Sequence, residues 1–211
     1  MSENKTKKMW NLEFETVQQT PSIVEHAQWE LLQDRKIHLN DDIGDSAYDL
    51  VVTLIEKFNQ EDEKNNVPVE DRKPIQLYVS SFGGEVYQGM GIVNSILTSK
   101  TKVIGHCPSM AMSMGLAIFA VCHERIAYPC TNFMFHELSS AVSGRAEEIK
   151  RATQEYDRLQ KMYDNLLIKR TNLTQTKLNN IKKKSTDWYF DAFEAKKFGL
   201  VDEIIGEDLL K

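Results

Sequence analysis

Short apolar runs with strand character alternate along this chain with longer runs of helical spacing, and glycine or small residues sit at the junctions. That alternation points to an α/β fold with parallel pairing, because strand, helix and strand in succession close by a crossover. Strands are expected at Lys36 to Leu39, Pro74 to Val79, Lys102 to Cys107, Glu124 to Tyr128 and Phe133 to Phe135. Helices are expected from Gly44 to Asn59, Val86 to Leu97 and Ser113 to Cys122, with a short helical lead-in at Trp29 to Gln33. In the first of these, Ala47, Leu50, Val51, Leu54, Ile55 and Phe58 recur at helical spacing. The charged stretch from Gln60 to Lys73 reads as a loop, and residues 1 to about 27 read as a mobile arm or irregular cap. The repeated strand, turn and helix suggests a superhelix of ββα-type units.

Gly144 to Arg170 is the clearest helix. Ile149, Ala152, Tyr156, Leu159, Tyr163 and Leu166 recur at alternating spacings of three and four, which is a sustained a/d stripe. A helix this long is expected to project from a small domain and lie on a partner chain; the alternative is a helix lying across its own sheet. Asp191 and Glu194 have capping-box form, and the helix they open carries Lys196 and Lys197 in its last turn before Gly199.

The chain has 211 residues and a net charge of −5, enough for a sizeable core and without a basic patch interleaved with aromatics. A nucleic-acid partner is not expected. The run Lys182-Lys183-Lys184 reads as a solvated helix end. The first ten residues are polar with no apolar core, so a signal peptide is not expected, and no run approaches the roughly 18 apolar residues of a membrane span. The cysteines are Cys107, Cys122 and Cys130; two lie in apolar runs, as expected of reduced, buried thiols in a cytoplasmic protein. No CxxC or HExxH spacing exists, so no structural metal is expected.

The chemistry centres on Met110-Ala111-Met112-Ser113-Met114-Gly115-Leu116-Ala117. A serine between a strand and a helix sits at a helix N-terminus, where free N–H groups and the dipole favour developing negative charge. Two readings stand on this stretch alone: a nucleophile, or a small residue spaced for tight packing. A serine hydrolase needs a base, an orienting acid and N–H donors for the oxyanion. The chain order permits Ser113, His136 and Asp187. His136 ends an apolar run, whereas His106 lies within a strand as a core histidine, His123 in a surface loop, and His26 and His38 before the sheet proper. Gly83-Gly84 follows a strand and could bring its N–H groups close to a substrate, or could be a simple tight turn. Trp188, Tyr189 and Phe190 could desolvate a His–Asp pair.

Together these residues resemble the Clp protease proteolytic subunit family (ClpP, the caseinolytic serine proteases). Ser80-Ser81-Phe82-Gly83-Gly84 stands where the family has Asn-Ser-Pro-Gly-Gly, and Met110 to Gly115 is similar to its Met-Ala-Ala-Ser-Met-Gly. Pro129 and Phe133-Met134-Phe135-His136 resemble its Leu-Pro and Val-Met-Ile-His; Gly144 to Ile149 resembles the opening of its handle helix. Ala192 to Ala195 and Phe198 to Asp202 are similar to its closing segment, and the likeness spans about residues 36 to 205. It implies a ClpP/crotonase-like superhelix with a protruding handle helix at about 144 to 170. It also implies an N-terminal axial segment over residues 1 to 35 and one peptidase domain over 36 to 211. Ser113 would be the nucleophile, His136 the base and acid, and Asp187 the orienter. The backbone N–H groups of Gly84 and Met114 would form the oxyanion hole. Ser109, where the family has glycine, is the weaker hydroxyl.

The resemblance further implies peptide hydrolysis through an acyl-enzyme, without metal or organic cofactor, inside a chamber of one or two heptameric rings served by an ATP-dependent unfoldase. Tyr78 matches a tyrosine of the family's docking cleft. The chain is divergent. Phe82 replaces a proline, and Glu137-Leu138-Ser139-Ser140 replaces Gln-Pro-Leu-Gly-Gly. Ser185-Thr186 replaces an Asp-Arg pair that links rings in the family. Two alternatives follow: a structural or regulatory subunit active only in a mixed ring, or a crotonase-type enzyme acting on acyl-coenzyme A.

Overall fold

The computed structural model describes residues 7–9, 12–14, 22–184 and 187–210. The chain divides into two compact units, Met1–Asp34 and Arg35–Lys211. In the first, β1 (Lys7–Met9) and β2 (Leu12–Phe14) pair antiparallel and α1 (Ile23–Gln33) follows. Ser22 Oγ accepts from Glu25 N–H at 3.2 Å, and the Glu25 carboxylate accepts from Ser22 N–H at 2.7 Å. This capping box starts the helix at Ile23, earlier than the expected lead-in at Trp29 and inside the stretch read as an irregular arm. The rest of that arm, 1–6, 10–11 and 15–21, lies outside the described residues.

The second unit runs β3 (Lys36–Leu39), α2 (Asp45–Lys64), β4 (Ile75–Val79), α3 (Val86–Thr98), β5 (Val103–Cys107), β6 (Met110–Met112), α4 (Met114–Val121) and β7 (Glu124–Ala127). It continues with β8 (Asn132–Phe135), α5 (Ala146–Arg170), α6 (Gln175–Lys183), β9 (Trp188–Asp191), α7 (Ala192–Lys197) and β10 (Glu203–Ile204). Five strands form a parallel sheet in the order β10-β7-β5-β4-β3. The α/β expectation therefore holds. Alternation decides which face is buried: Ile75, Leu77 and Val79 of β4 are fully buried, while Gln76 and Tyr78 point to the other face. On that second face His38, Tyr78 and His106 stack across β3, β4 and β5, with ring centroids 4.7 and 4.6 Å apart.

A second sheet has three strands in the order β6-β8-β9. The sequence reading missed β6 and β9, which are only three and four residues long and too short to establish a period. All eight residues of α4 are buried, as an all-round apolar helix requires. In α5 the buried residues are Leu159, Tyr163, Asp164 and Leu167. None of residues 146–158 is buried, and Ile149 keeps 39% of its surface. The a/d stripe thus divides into a half that lies on the core and a half that this chain covers only in part.

Helix α2 passes the expected end at Asn59 because Asp62 has a partner. Arg35, at the start of β3, donates to both Asp62 oxygens at 2.7 and 2.6 Å, and Thr101 Oγ1 donates at 2.9 Å. The carboxylate side chain retains 5% of its surface and the guanidinium side chain 13%. This bidentate pair ties the last turn of α2 to the sheet edge and to the turn before β5. Among the described residues, no helix is long and apolar enough to cross a membrane.

The Arg35 hydrogen bonds hold the Asp62 carboxyl below the ordinary carboxylate range. Its contribution to stability is therefore complete above the unfolded-state pKa of about 4 and is lost as pH falls through the lowered native value. Asp62→Ala should lower unfolding free energy by about 1–3 kcal/mol, since it leaves a partly buried guanidinium with the Lys73 C=O still to hold it. In urea titrations, Asp62→Asn should show a shallower loss of stability below pH ~4 than the parent chain.

Candidate functional site

Three chain segments end at one edge of the β6-β8-β9 sheet. Met112 pairs with Met134 in parallel, and Phe135 pairs with Trp188 antiparallel. The next residue of β6 is Ser113 and the next of β8 is His136. The residue before Trp188 is Asp187. Strand register alone therefore brings together three residues spread over more than 70 positions of sequence.

His136 Nε2 lies 2.8 Å from Ser113 Oγ, a hydrogen bond. With the ring proton on Nδ1, Nε2 accepts from the serine hydroxyl and is set to take its proton. Asp187 Oδ1 lies 3.9 Å from His136 Nδ1, within ion-pair range but beyond a hydrogen bond. The Asp187 side chain is 51% exposed, so the aromatic run after it does not enclose the pair as expected. Trp188 turns instead toward Phe190 and Phe198, with ring centroids 4.4 and 5.2 Å away. Residues 185 and 186, where the sequence departs from the ring-linking pair, lie outside the described residues.

Ser113 has φ 50° and ψ −122°, a conformation that costs a residue with a Cβ about 1–3 kcal/mol. Such a turn between a strand and a helix lifts a serine hydroxyl clear of the backbone. Its surroundings over-determine it. Ser113 N–H donates to Met134 C=O at 3.0 Å. Ser113 C=O accepts from Leu116 N–H at 3.0 Å and from the Tyr163 hydroxyl at 2.8 Å. Helix α4 begins at the next residue, so its dipole points its positive end at the serine.

The Gly83-Gly84 turn packs against this junction. Ile43 N–H donates to Gly83 C=O, and Glu85 N–H to Ile43 C=O, each at 2.7 Å. That ladder steps over Gly84, as a parallel bridge does, leaving Gly84 N–H facing the other way. Among the described residues, no acceptor takes the N–H of Gly84 or of Met114. Gly83 has φ 108°, and a Cβ there would stand 2.6 Å from Ser113 Cβ and 3.0 Å from Met114 N. Only glycine lets the two turns approach this closely. Phe82 beside them is 64% exposed.

The remaining candidates have other partners. Ser109 Oγ is 2.6 Å from Ser80 Oγ. His106 Nε2 is 2.6 Å from Gln76 Oε1, and His123 Nδ1 accepts from Val103 N–H at 3.0 Å. Burial lowers the pKa of both rings, and of His38. Burial also pushes the Cys122 thiol up to about 12 and raises Cys107 as well, so neither is a thiolate nucleophile. Lys182 departs from the expected solvated helix end: its ammonium pairs with buried Asp164. Tyr163 was legible only as a member of the a/d stripe; that its hydroxyl reaches Ser113 had no sequence signal.

The model for the family "Clp protease" matches residues 20–208. A curated relative from Dehalococcoides mccartyi, an ATP-dependent Clp protease proteolytic subunit, is 29% identical over 177 residues, which cover 83% of this chain and 84% of the relative. A match across that span, on a parallel α/β fold of this kind, means that the chain belongs to the Clp protease family.

Proposed function

We propose that this protein is a serine endopeptidase that cleaves unfolded polypeptides or peptides through an acyl-enzyme. The observation that carries the reading is the 2.8 Å Ser113–His136 hydrogen bond at the mouth of α4, beside two N–H groups that find no acceptor among the described residues. His136 Nε2 takes the Ser113 proton as Oγ attacks the scissile carbonyl. The carbonyl oxygen becomes an oxyanion, received by Gly84 N–H and Met114 N–H. His136 then gives the proton to the leaving amine, and a water attacks the ester by the same route in reverse. Asp187 stabilises the imidazolium and selects the tautomer; at 3.9 Å it acts as a neighbouring charge, and closure by about 1 Å would make it a hydrogen-bond acceptor. Phe82, exposed beside the glycine turn, favours apolar substrate side chains near the site.

The first half of α5, which this chain does not bury, supports assembly through that helix, and family membership supports a heptameric ring, single or double. Within such a chamber, access selects substrates, and an ATP-dependent unfoldase delivers folded ones. Its free cysteines support a cytoplasmic location. A crotonase-type reaction on acyl-coenzyme A has no use for the Ser113–His136 bond. One observation favours a second reading, a subunit active only in a mixed ring: the open His136–Asp187 approach and the exposed Asp187 carboxylate.

Ser113→Ala should lower peptide hydrolysis by about 10⁴- to 10⁶-fold and abolish the mass adduct formed by a fluorophosphonate, with the oligomer unchanged by light scattering. Wild-type turnover in that variant would refute the assignment. A homo-oligomer with full peptidase activity would exclude the mixed-ring reading; activity that emerges only on adding a second Clp-type subunit would establish it. Gly83→Ala should reduce kcat/KM by about 10²-fold or more, because a Cβ there displaces Ser113 and the Met114 N–H. Its cost in stability, read from thermal unfolding, should exceed the ~1–3 kcal/mol of backbone strain alone, because the added Cβ also meets Ser113 Cβ and Met112 C=O.

A further inference from the structure

Tyr163 sits on the buried half of α5 with 1% of its surface exposed. Its ring stacks on Phe135, the residue before His136, with centroids 5.8 Å apart and planes 23° from parallel. Its hydroxyl donates to Ser113 C=O at 2.8 Å. One side chain therefore touches the backbone of the serine and the neighbour of the histidine. Burial raises the phenol pKa, so the hydroxyl keeps its proton and remains a donor across the working range.

The carbonyl it holds is not an arbitrary one. Ser113 C=O and Met114 N–H belong to the same peptide unit, which is planar and trans. Fixing the direction of that oxygen fixes the direction of the N–H on the opposite side. A hydrogen bond to the oxygen also polarises the amide and strengthens its N–H as a donor. The other donors to Ser113 C=O come from inside α4: Leu116 N–H at 3.0 Å and Ala117 N–H at a weak 3.4 Å. Left to these alone, the carbonyl would tilt along the helix axis toward Ala117, into ordinary helical geometry, and Met114 N–H would swing with it.

One turn earlier on α5, Gln160 Oε1 accepts from Leu138 N–H at 2.8 Å, two residues past His136. The amide cannot turn over. Its Nε2 donates to Asp164 Oδ1 at 2.7 Å, and a carboxylate can only accept. Asp164, 2% exposed, is held in turn by Gln175 Nε2 at 2.9 Å and by the Lys182 ammonium. The turn Gln160–Asp164 thus grips the serine junction at one end and the segment after the histidine at the other.

We propose that Tyr163 is a positioning residue for the hydrolytic site: by holding Ser113 C=O it aims Met114 N–H at the oxyanion, while Gln160 steadies the His136 segment. This rests on the serine-peptidase reading above. It adds a residue that touches neither substrate nor reacting atoms, and it assigns a chemical purpose to a hydroxyl in an otherwise apolar stripe.

The test uses the full-length assembled protein, a fluorogenic peptide and a peptide aldehyde, which forms a hemiacetal whose oxygen occupies the oxyanion position. Tyr163→Phe keeps the ring on Phe135 and removes only the hydroxyl. It should lower kcat by about 10- to 100-fold with KM within twofold, weaken aldehyde inhibition by a similar factor, and leave the acid limb of the pH–rate profile in place. Gln160→Met is the second variant, serving also if Tyr163→Phe fails to fold. It should lower kcat by about 5- to 20-fold and shift that acid limb, with aldehyde affinity falling less than kcat. Ile55→Val, a buried change in the second half of α2, controls for lost stability and should leave kcat unaltered. The proposal is overturned if Tyr163→Phe keeps kcat and aldehyde affinity within twofold of the parent, or if Ile55→Val loses as much. It is likewise overturned if Gln160→Met leaves both kcat and the pH profile unchanged. If the parent protein neither hydrolyses peptide nor takes a fluorophosphonate at Ser113, the peptidase reading itself fails, which is a different result from an active parent with an indifferent Tyr163→Phe.

Discussion

The pairing of Phe135 with Trp188 is the contact on which the site depends. β8 runs out of the core toward the serine, and β9 runs back in; only an antiparallel register that sets 135 opposite 188 leaves His136 facing Asp187. A slip of one residue would turn Phe133 and Phe135, both fully buried, toward the other face of this small sheet. The cost of exposing two phenylalanines is several kcal/mol, far more than any hydrogen bond at the site could return. Hydrophobic burial therefore sets the register, and the register brings Ser113, His136 and Asp187 together. The same logic runs through Met112 and Met134, whose parallel pairing places Ser113 beside the end of β8.

Much of the frame was legible because it follows periods long enough to count. The five-residue strands β4 and β5, the helices α2 and α3, and the a/d stripe of α5 all repeat over several turns or alternations. The glycines at 83 and 84 and the capping box at Asp191 were legible for a different reason: each is a local backbone requirement that few residue types meet. What stayed hidden was short or distant. β6, β9 and β10 have three, four and two residues, and they exist because neighbours already in place offer them hydrogen bonds. The extension of α2 to Lys64 depends on Arg35, 27 residues away from Asp62, and no local pattern announces it. Helix α6 has a Thr174 cap and a partner for Lys182 on α5, yet its sequence is polar and carries few periodic apolar positions.

The site divides in the same way. Ser113 and His136 could be picked out from small-residue context and strand ends, and the fold brings them within 2.8 Å. The contribution of α5 could not, because an a/d tyrosine and an a/d leucine satisfy the same pattern. The hydroxyl becomes meaningful only once the helix is docked and the Ser113 carbonyl is found at its end. Asp187 shows the opposite error. Three aromatics after it suggested an enclosed carboxylate, but Trp188 has better company in Phe190 and Phe198, and the acid is left half in solvent.

Ser113 itself is where local preference and global structure disagree. Glycine at that position would remove a strain of about 1–3 kcal/mol, as it does at Gly83 and Gly84 on the facing turn. The chain instead keeps a side chain with a hydroxyl, and surrounds it with a donor bond to Met134, an acceptor bond from Tyr163, and a wholly buried helix that cannot move to relieve it. A packing role would be served as well by glycine or by a relaxed backbone. A hydroxyl lifted out of the strand, at a helix N-terminus, against a histidine, is served only by this conformation. The departure from propensity is therefore the part of the fold that stability does not account for and that the proposed hydrolytic role of Ser113 would.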